Sequence, residues 1–241
     1  MKSIVLMLVV VLGITVQESY AQILVNDANA EVRSVDAFSG VELGGGISAY
    51  ISQGKEQAVA VSAEDAKNVA KIKTEVRNGI LRVYVESGVW NSWNWGNKKI
   101  KAYITITELS SLRLSGGAVA KITDEISITN VDATLSGGSI LHGKFKGNSF
   151  HVSLSGGSIA NLEGSLNDAS FDAGGGSIVN SFDAEIATCN VHASGGSVLN
   201  VNITKELSAE ASGGSVINYK GGGIIRSVDA SGGSIIKKKD R

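Results

Sequence analysis

The stretch VSLSGGSI at residues 152–159 decides the fold, because six other segments repeat its pattern at nearly constant spacing. Each copy centres on a Gly-Gly pair. The pairs begin at residues 116, 137, 156, 175, 195, 213 and 232, so the intervals are 21, 19, 19, 20, 18 and 19 residues. Such repeats are too short for helix-pair solenoids and lack the pattern of leucine-rich repeats. The sequence therefore predicts an all-β parallel β-helix, or β-solenoid, with about 18–21 residues per coil.

The residues before each Gly pair alternate between apolar and polar side chains. Every copy is apolar four and two residues before the first Gly, as Val152 and Leu154 illustrate. Successive strand residues face opposite sides, so we expect these columns to point inward and the position between them to point to water. That outward column is polar in all seven copies: Arg113, Thr134, Ser153, Asp172, His192, Glu210 and Asp229. A β-branched residue three positions after the first Gly starts another strand, so two strands meet at each corner.

Two further polar columns follow the corners. One contains serine at positions 139, 158, 177, 197, 215 and 234, and the other contains asparagine at 161, 180, 200 and 218. Identical polar side chains stacked about 4.8 Å apart can hydrogen-bond from coil to coil. We interpret both columns as structural. The alternative, a polar strip that contacts glycans, requires their side chains to be exposed.

The first third of the mature chain, residues 22–110, is β-like but less regular. Asn78 and Gly79 lie between two strand-like runs and predict a hairpin. Residues 63–73 indicate only a short helical turn. With no linker evident, we predict a single β-helix domain over residues 22–241, with the seven repeats in residues 111–236. The basic residues 237–241 are then expected to protect an open edge, and binding of an anionic partner is the alternative.

Composition narrows the range of functions. The chain has 22 Lys and Arg against 23 Asp and Glu, which gives a net charge of −1 and argues against a nucleic-acid partner. The single Cys189 cannot form an intramolecular disulfide, and no Cys/His cluster has metal-ligand spacing. We therefore predict no metal and no cofactor, and we interpret Cys189 as an inert small residue.

The first 21 residues are typical of an export signal. Lys2 precedes an apolar run over residues 4–14, and small residues at Ser19 and Ala21 fit a cleavage site after Ala21. The run is too short to span a bilayer in the usual way, and no later segment is more apolar. We expect an extracytoplasmic chain, in the periplasm or at the cell surface, without a transmembrane segment. An uncleaved membrane anchor is the alternative.

Several short stretches together resemble the auto-transporter adhesin head GIN domain family. They are FSGV at 38–41, ISQG at 51–54, NV at 68–69, EVRNGIL at 75–81 and LSSLRLSGG at 109–117, followed by the Ser-Gly-Gly-Ser repeats. The resemblance covers nearly all of the mature chain. It implies a secreted bacterial protein with a right-handed β-helix fold, and it brings no catalytic motif.

The acidic part of the outward column is the best candidate for chemistry. Asp172, His192, Glu210 and Asp229 are expected on successive coils, where carboxylates could act as acid and base or hold a cation. The same column also holds Arg113, Thr134 and Ser153. We therefore favour a solvated face over a catalytic site, and we interpret His142 and His151, which occupy other columns, as incidental.

All three tryptophans fall within six residues, at Trp90, Trp93 and Trp95, with Asn94 among them. Aromatic faces beside polar side chains are typical of interaction sites, including those for sugars. Strand alternation would place Trp93 and Trp95 on one face and Trp90 on the other. Capping of one end of the rod, or an oligomer contact, is the favoured alternative to ligand binding.

Two classes of function follow. The first is a secreted non-catalytic, adhesin-like binding or structural module of the bacterial cell envelope, with cell-surface polysaccharide, protein or a second copy of the chain as its partner. The second is a carbohydrate-active β-helix lyase or hydrolase that uses the acidic column. We prefer the first, because the polar column has no convergent catalytic set.

Overall fold

The computed structural model describes residues 27–85 and 99–239, and within them it is almost entirely β-structure with one short 3-10 helix at Ala66–Lys71. The strands are β1 Glu31–Arg33, β2 Gly40–Leu43, β3 Ser48–Gln53, β4 Ala58–Ala63, β5 Ile72–Arg77, β6 Ile80–Val85, β7 Ile100–Ile106, β8 Ser111–Leu114, β9 Val119–Ile122, β10 Ile126–Leu135, β11 Ile140–Leu154, β12 Ile159–Ala173, β13 Ile178–Ala193, β14 Val198–Ala211, β15 Val216–Lys220, β16 Ile224–Ala230 and β17 Ile235–Lys238.

Stacked parallel strands form a β-solenoid of about seven turns, as the repeat predicts. Equivalent residues of successive repeats lie in register, so that Ile140 pairs with Ile159, Ile159 with Ile178, and Ile178 with Val198. Each of the long strands β11–β14 bends along its length, so that its two halves lie on different sides of the solenoid. The prediction of an all-β parallel β-helix is confirmed.

The two glycines of each corner are required for different reasons. Both have positive φ, at 63° for Gly156 and 75° for Gly157. A Cβ on Gly156 would lie 3.1 Å from the backbone nitrogen of Gly137, whereas a Cβ on Gly157 would meet nothing within 4 Å. Stacking therefore disfavours a side chain at the first Gly of the pair in addition to its backbone conformation, and only backbone conformation favours glycine at the second.

An eighth corner lies at Gly45 and Gly46, which the repeat spacing did not reveal. Both have positive φ, and Gly46 N donates to Gly116 O at 3.0 Å. β2 and β3 flank this corner, and each lies between two parallel neighbours: β2 between β6 and β8, and β3 between β7 and β9. The chain thus builds one coil with β2 and β3. It then adds β6 and β7 on one side of that coil along the solenoid axis, and it continues the stack on the other side with β8 and β9.

Antiparallel strands close the N-terminal end of the solenoid. β5 pairs with β6 through the turn at Asn78 and Gly79, so the predicted hairpin is present. β4 covers β7, and β1 covers β4, both antiparallel. The predicted short helical turn is the 3-10 helix, whose Asp65 side chain accepts a hydrogen bond from Lys67 N.

One continuous hydrophobic core fills the solenoid. It runs from Phe38 to Ile217, and the phenylalanines Phe145, Phe150 and Phe171 are its largest fully buried side chains. The rings of Phe145 and Phe150 lie 4.7 Å apart. In the part of the chain that the structure describes, no helix is long and apolar enough to cross a membrane.

The C-terminal end differs from the N-terminal end because nothing in the described chain covers it. Every residue of β16 is exposed, and β17 is also largely exposed. β17 reaches Lys238, so the repeat structure extends into the predicted basic tail, whose last two residues lie outside the described chain.

Candidate functional site

The outward polar column forms a continuous line along the last coils of the solenoid. Strand register stacks Ser153 on Asp172, Asp172 on His192, His192 on Glu210, and Glu210 on Asp229. The residues on either side of each member point inward and are buried in the coils from Ser153 to Glu210. The four acidic-column residues that sequence analysis singled out thus lie on four adjacent rungs.

Two histidine–carboxylate contacts organise this column. His192 Nδ1 lies 3.1 Å from Glu210 Oε2, and His151 Nε2 lies 3.7 Å from Asp172 Oδ2. His151 Nε2 is also 3.2 Å from Ser153 Oγ. Among the described residues, Asp229 has no ion-pair partner. The column therefore contains two paired carboxylates and one unpaired carboxylate.

A shallow groove of about 410 Å³ follows this column. Asp172, His192, Glu210 and Asp229 form one side, and the outward residues just before the corners, including Ser194 and Ser212, form the other. Its floor is the main chain at the inward-facing alanines between these two columns. Small residues next to the corners leave this groove open, since they have no long side chains to fill it.

His151 is a groove-side residue that sequence analysis treated as incidental. It occupies a different column, where it pairs in register with Ser170. However, His151 lies two residues before Ser153, and side chains at i and i+2 share one face of a strand. That spacing was the available signal, and it brings the imidazole to both Ser153 and Asp172.

The asparagine column forms a hydrogen-bonded ladder. Asn180 Nδ2 donates to Asn161 Oδ1 at 2.9 Å, Asn200 Nδ2 to Asn180 Oδ1 at 2.9 Å, and Asn218 Nδ2 to Asn200 Oδ1 at 2.8 Å. Asn161 Nδ2 contacts His142 Nδ1 at 3.1 Å, so His142 ends the ladder on that side. At the other end, the buried Asn218 Oδ1 has no hydrogen-bond partner among the described residues. The contacts support the structural interpretation of this column.

The serine column points into the solenoid rather than to solvent. Five of its six members are fully buried, and their hydroxyls donate to main-chain carbonyls at the corners. For example, Ser177 Oγ donates to Gly174 O at 2.7 Å, and Ser197 Oγ donates to Ala173 O at 3.0 Å. Burial excludes these serines from direct contact with a glycan.

The tryptophan segment lies outside the described residues. Trp90, Trp93, Asn94 and Trp95 fall between β6, which ends at Val85, and β7, which begins at Ile100. These two strands belong to the N-terminal end of the stack. The binding role of the segment stays a prediction.

A polar cluster that sequence analysis missed fixes Asp27 to β7. Tyr103 Oη and Lys101 Nζ donate to Asp27 Oδ2 at 2.8 and 3.1 Å. Burial disfavours the charged carboxylate, but the hydrogen bonds from Tyr103 and Lys101 outweigh it and lower the pKa of Asp27 to about 2. The Tyr103 ring stacks on Tyr50 at 5.5 Å. The cluster is structural, since it joins the first described residue to the covered end.

Cys189 is fully buried between Ala169 and Leu207 on neighbouring coils. Burial raises the pKa of its thiol well above the usual range, so the thiolate nucleophile is suppressed. Within residues 27–85 and 99–239, no three His, Cys, Asp or Glu side chains are grouped so that they could hold a metal ion.

Comparison with solved structures identifies close likeness in fold. A "putative adhesin" from Bacteroides fragilis has a TM-score of 0.79 at 20% identity, with 87% of this chain and 96% of that chain covered. A "putative adhesin" from Parabacteroides merdae has a TM-score of 0.68 at 14% identity, covering 88% and 95%. A "putative lipid binding protein" from Parabacteroides distasonis has a TM-score of 0.62 at 22% identity, covering 89% and 98%. At these identities the likeness concerns the fold alone.

Sequence comparison gives the family. No curated protein matches the chain. The pattern of one family matches residues 37–223, from the strand entrance before β2 to the turn before β16. Because this match includes most of the sequence, the chain belongs to the family described as "Putative auto-transporter adhesin, head GIN domain".

Proposed function

We propose that this adhesin-like module is exported, cleaved after Ala21, and binds polysaccharide of the cell envelope in the groove along Asp172, His192, Glu210 and Asp229. The family supports an adhesin-like binding role. The groove supports the choice of ligand. Export is tested separately by the mass of the chain recovered outside the cytoplasm, which should begin at Gln22.

The periodicity of the groove is the observation that carries this proposal. Its polar side chains recur once per coil over successive rungs, about 4.8 Å apart. A polysaccharide likewise presents hydroxyl groups at a regular interval of similar size along an extended chain. A ligand lying parallel to the solenoid axis can therefore make the same kind of contact on each coil.

The chemistry of the groove restricts the class of sugar. Carboxylates accept hydrogen bonds from hydroxyl groups, and Ser194, Ser212 and the imidazoles of His151 and His192 can donate or accept. The carboxylates of Asp172, Glu210 and Asp229 repel an acidic polymer. The groove therefore suits neutral or amino-sugar polysaccharides and disfavours those rich in uronic acids.

Exposure of the same side chains favours binding over catalysis. The side chains of Asp172, His192 and Glu210 are 46%, 52% and 65% exposed. General acid–base catalysis of glycoside cleavage depends on carboxyls whose environments push their pKa values apart, which requires a much drier site. The alternative is a carbohydrate-active enzyme that uses the acidic column. It is tested by measuring whether a bound glycan is cleaved.

The tryptophan segment supplies a second candidate surface. Trp90, Trp93, Asn94 and Trp95 fall in the sequence between β6 and β7, two strands at the end of the stack opposite Asp229. Stacked aromatic rings and an amide are suited to the faces and hydroxyls of a sugar. The two candidate surfaces share no residue, so variants can test them independently.

The deciding experiment is a glycan array and a polysaccharide pull-down with the mature chain and three variants. Asp172→Asn with Glu210→Gln removes two of the three carboxylate charges of the groove with little change in its shape, and Trp93→Ala with Trp95→Ala removes two rings of the other segment. Asp183→Asn is the control, since Asp183 is exposed and lies in another segment of the coil, where it pairs in register with Glu163.

Loss of binding in the groove variant alone would support the proposed site. Loss only in the tryptophan variant would move the site to that segment, and equal binding by all chains would contradict both locations. Shortening of a bound glycan, followed by chromatography of the products, would favour the enzymatic alternative.

A further inference from the structure

The open C-terminal end of the solenoid has the features of an unfilled interface. In β16, Ile224, Ile225 and Val228 are 63%, 41% and 49% exposed, and Ile235 of β17 is 49% exposed. Ile225 and Val228 occupy inward positions, and their equivalents on the preceding coil, Leu207 and Ala209, are fully buried because another coil covers them. β16 and β17 also have free edges, since no described strand pairs with their outer sides.

No described strand covers this end, and two segments outside the described residues are too short to reach it. From β7 to β17 the stack has nine rungs, which corresponds to about 38 Å. The segment 86–98 leaves and returns at the far end, so it reaches about 24 Å at most. With cleavage after Ala21, as proposed above, residues 22–26 before Asp27, which is also fixed at that end, reach about 18 Å. Neither segment reaches the open end, which leaves it accessible to another molecule.

Charge on the two edge strands indicates which molecule. Arg226 of β16 is paired with Glu206, at 2.6 Å from Nε to Oε2, which leaves Asp229 as the unpaired charge of this strand. β17 presents Lys237 and Lys238, with Lys239 directly after it. Asp229 lies three residues before the Gly232–Gly233 pair and Lys237 four residues after it, both on the outward face. An unpaired carboxylate therefore lies on one edge and lysines lie on the other, on either side of one corner.

This arrangement is complementary to itself. A two-fold axis through the Gly232–Gly233 corner exchanges the two edges, so β16 of one copy lies against β17 of the other. Because β16 runs towards the corner and β17 runs away from it, the paired strands are antiparallel. A symmetric dimer requires such a self-complementary patch, and opposite charges fix the orientation. Asp229 of each copy then faces Lys237 of the other.

We propose that two copies of the chain associate end to end through β16 and β17, forming a rod of twice the length. The contact continues both sheets across the two-fold axis and covers Ile225 and Val228. This assembly shares Asp229 with the proposed glycan groove, but Lys237 does not line that groove, so Lys237→Asp tests association without changing the groove.

Charge exchange provides a sharp test by analytical ultracentrifugation of the mature chain. We expect a concentration-dependent dimer whose affinity falls about tenfold or more in Asp229→Lys or Lys237→Asp, since each creates two like-charge contacts. Mixing the two variants should restore association, because each mixed pair has opposite charges at both contacts. The control pair is Lys146→Asp and Asp168→Lys, which makes the same charge changes on exposed residues in the middle of the rod.

Small-angle scattering of the dimer should show an approximately doubled maximum length. A mature chain that stays monomeric at all concentrations would overturn the proposal, and the lysines would then protect the edge as lysines do on the edge strands of other soluble sheets. Dimers unaffected by either charge variant, or a mixture that fails to associate, would also overturn it. Circular dichroism verifies that each variant is folded.

Discussion

Gly156 and Gly157 are adjacent glycines with different structural requirements. Only a Cβ at Gly156 would press against the corner of the preceding coil, although both residues have positive φ. The repeated Gly-Gly pair predicted the corners, but it could not distinguish its two members. The difference depends on how the corner of one coil is positioned against the corner of the preceding coil. The sequence of one repeat does not contain this information.

Gly156→Ala should therefore destabilise the protein more than Gly157→Ala. For Gly157→Ala we expect about 1 kcal/mol, the cost of placing a side chain in the left-handed region. Gly156→Ala adds the contact with Gly137 and should cost about 2–3 kcal/mol. Urea unfolding followed by circular dichroism gives both values. Equal losses of stability would mean that neighbouring corners move apart to accommodate the added methyl group at no cost in free energy.

Asp27 illustrates a stabilising residue that the sequence does not reveal, because its partners Lys101 and Tyr103 lie more than 70 positions away. Its pKa in the folded chain is lowered to about 2, below the ordinary value of 3.8. The folded state therefore binds the proton less tightly than the unfolded state. The resulting stabilisation is complete above about pH 4 and is lost as the pH falls towards 2.

Asp27→Asn should lower stability at pH 7 by about 1–2 kcal/mol and flatten the acid dependence of unfolding. Thermal unfolding of both proteins between pH 7 and pH 2 measures this effect, and the two curves should converge towards pH 2. Asp36→Asn serves as a control, since Asp36 has no ion pair among the described residues. A constant gap between the curves at all pH values would contradict the assignment.

At the scale of elements, stacked asparagines couple strands β12 to β15. Sequence spacing predicted this ladder, because each member recurs at a fixed distance from a glycine pair. The hydrogen bonds then follow from the register that the corners impose. The groove was less predictable. Its outward column could be read from alternation, but its second wall and the contribution of His151 require the coils to be stacked.

Asn180→Ala removes two ladder hydrogen bonds, to Asn161 and from Asn200. We expect a loss of about 1–2 kcal/mol, within the usual contribution of two partly exposed hydrogen bonds. Asn190→Ala is the matched control, since Asn190 is exposed, lies further along β13 and makes no hydrogen bond in the ladder. Denaturant midpoints at equal slope compare the two variants. A larger effect at Asn190 would show that the ladder does not stabilise the stack.

At the scale of the whole molecule, the two ends of the solenoid are built differently. The N-terminal end is covered by antiparallel strands β1, β4 and β5, while the C-terminal end exposes apolar side chains. The repeat pattern predicted the middle of the rod and missed the covered end. There, β6 and β7 stack on the outer side of the coil that β2 and β3 formed earlier in the chain. The spacing of the repeats does not encode the order in which these strands stack.

Between its ends, the solenoid is a stack of interchangeable coils, so removing one whole repeat should preserve the fold. Deleting residues 156–174 joins Ser155 to Gly175 and brings equivalent positions of β11 and β13 into register. We expect a folded chain that is shorter by about 4.8 Å and less stable, because two coil interfaces are replaced by one. Deleting residues 156–165 instead is the control, since this half-coil removal places outward residues in the core and should abolish folding. Circular dichroism and small-angle scattering distinguish the two variants. If the whole-coil deletion unfolds the chain, each coil requires its particular neighbours and the coils are not interchangeable.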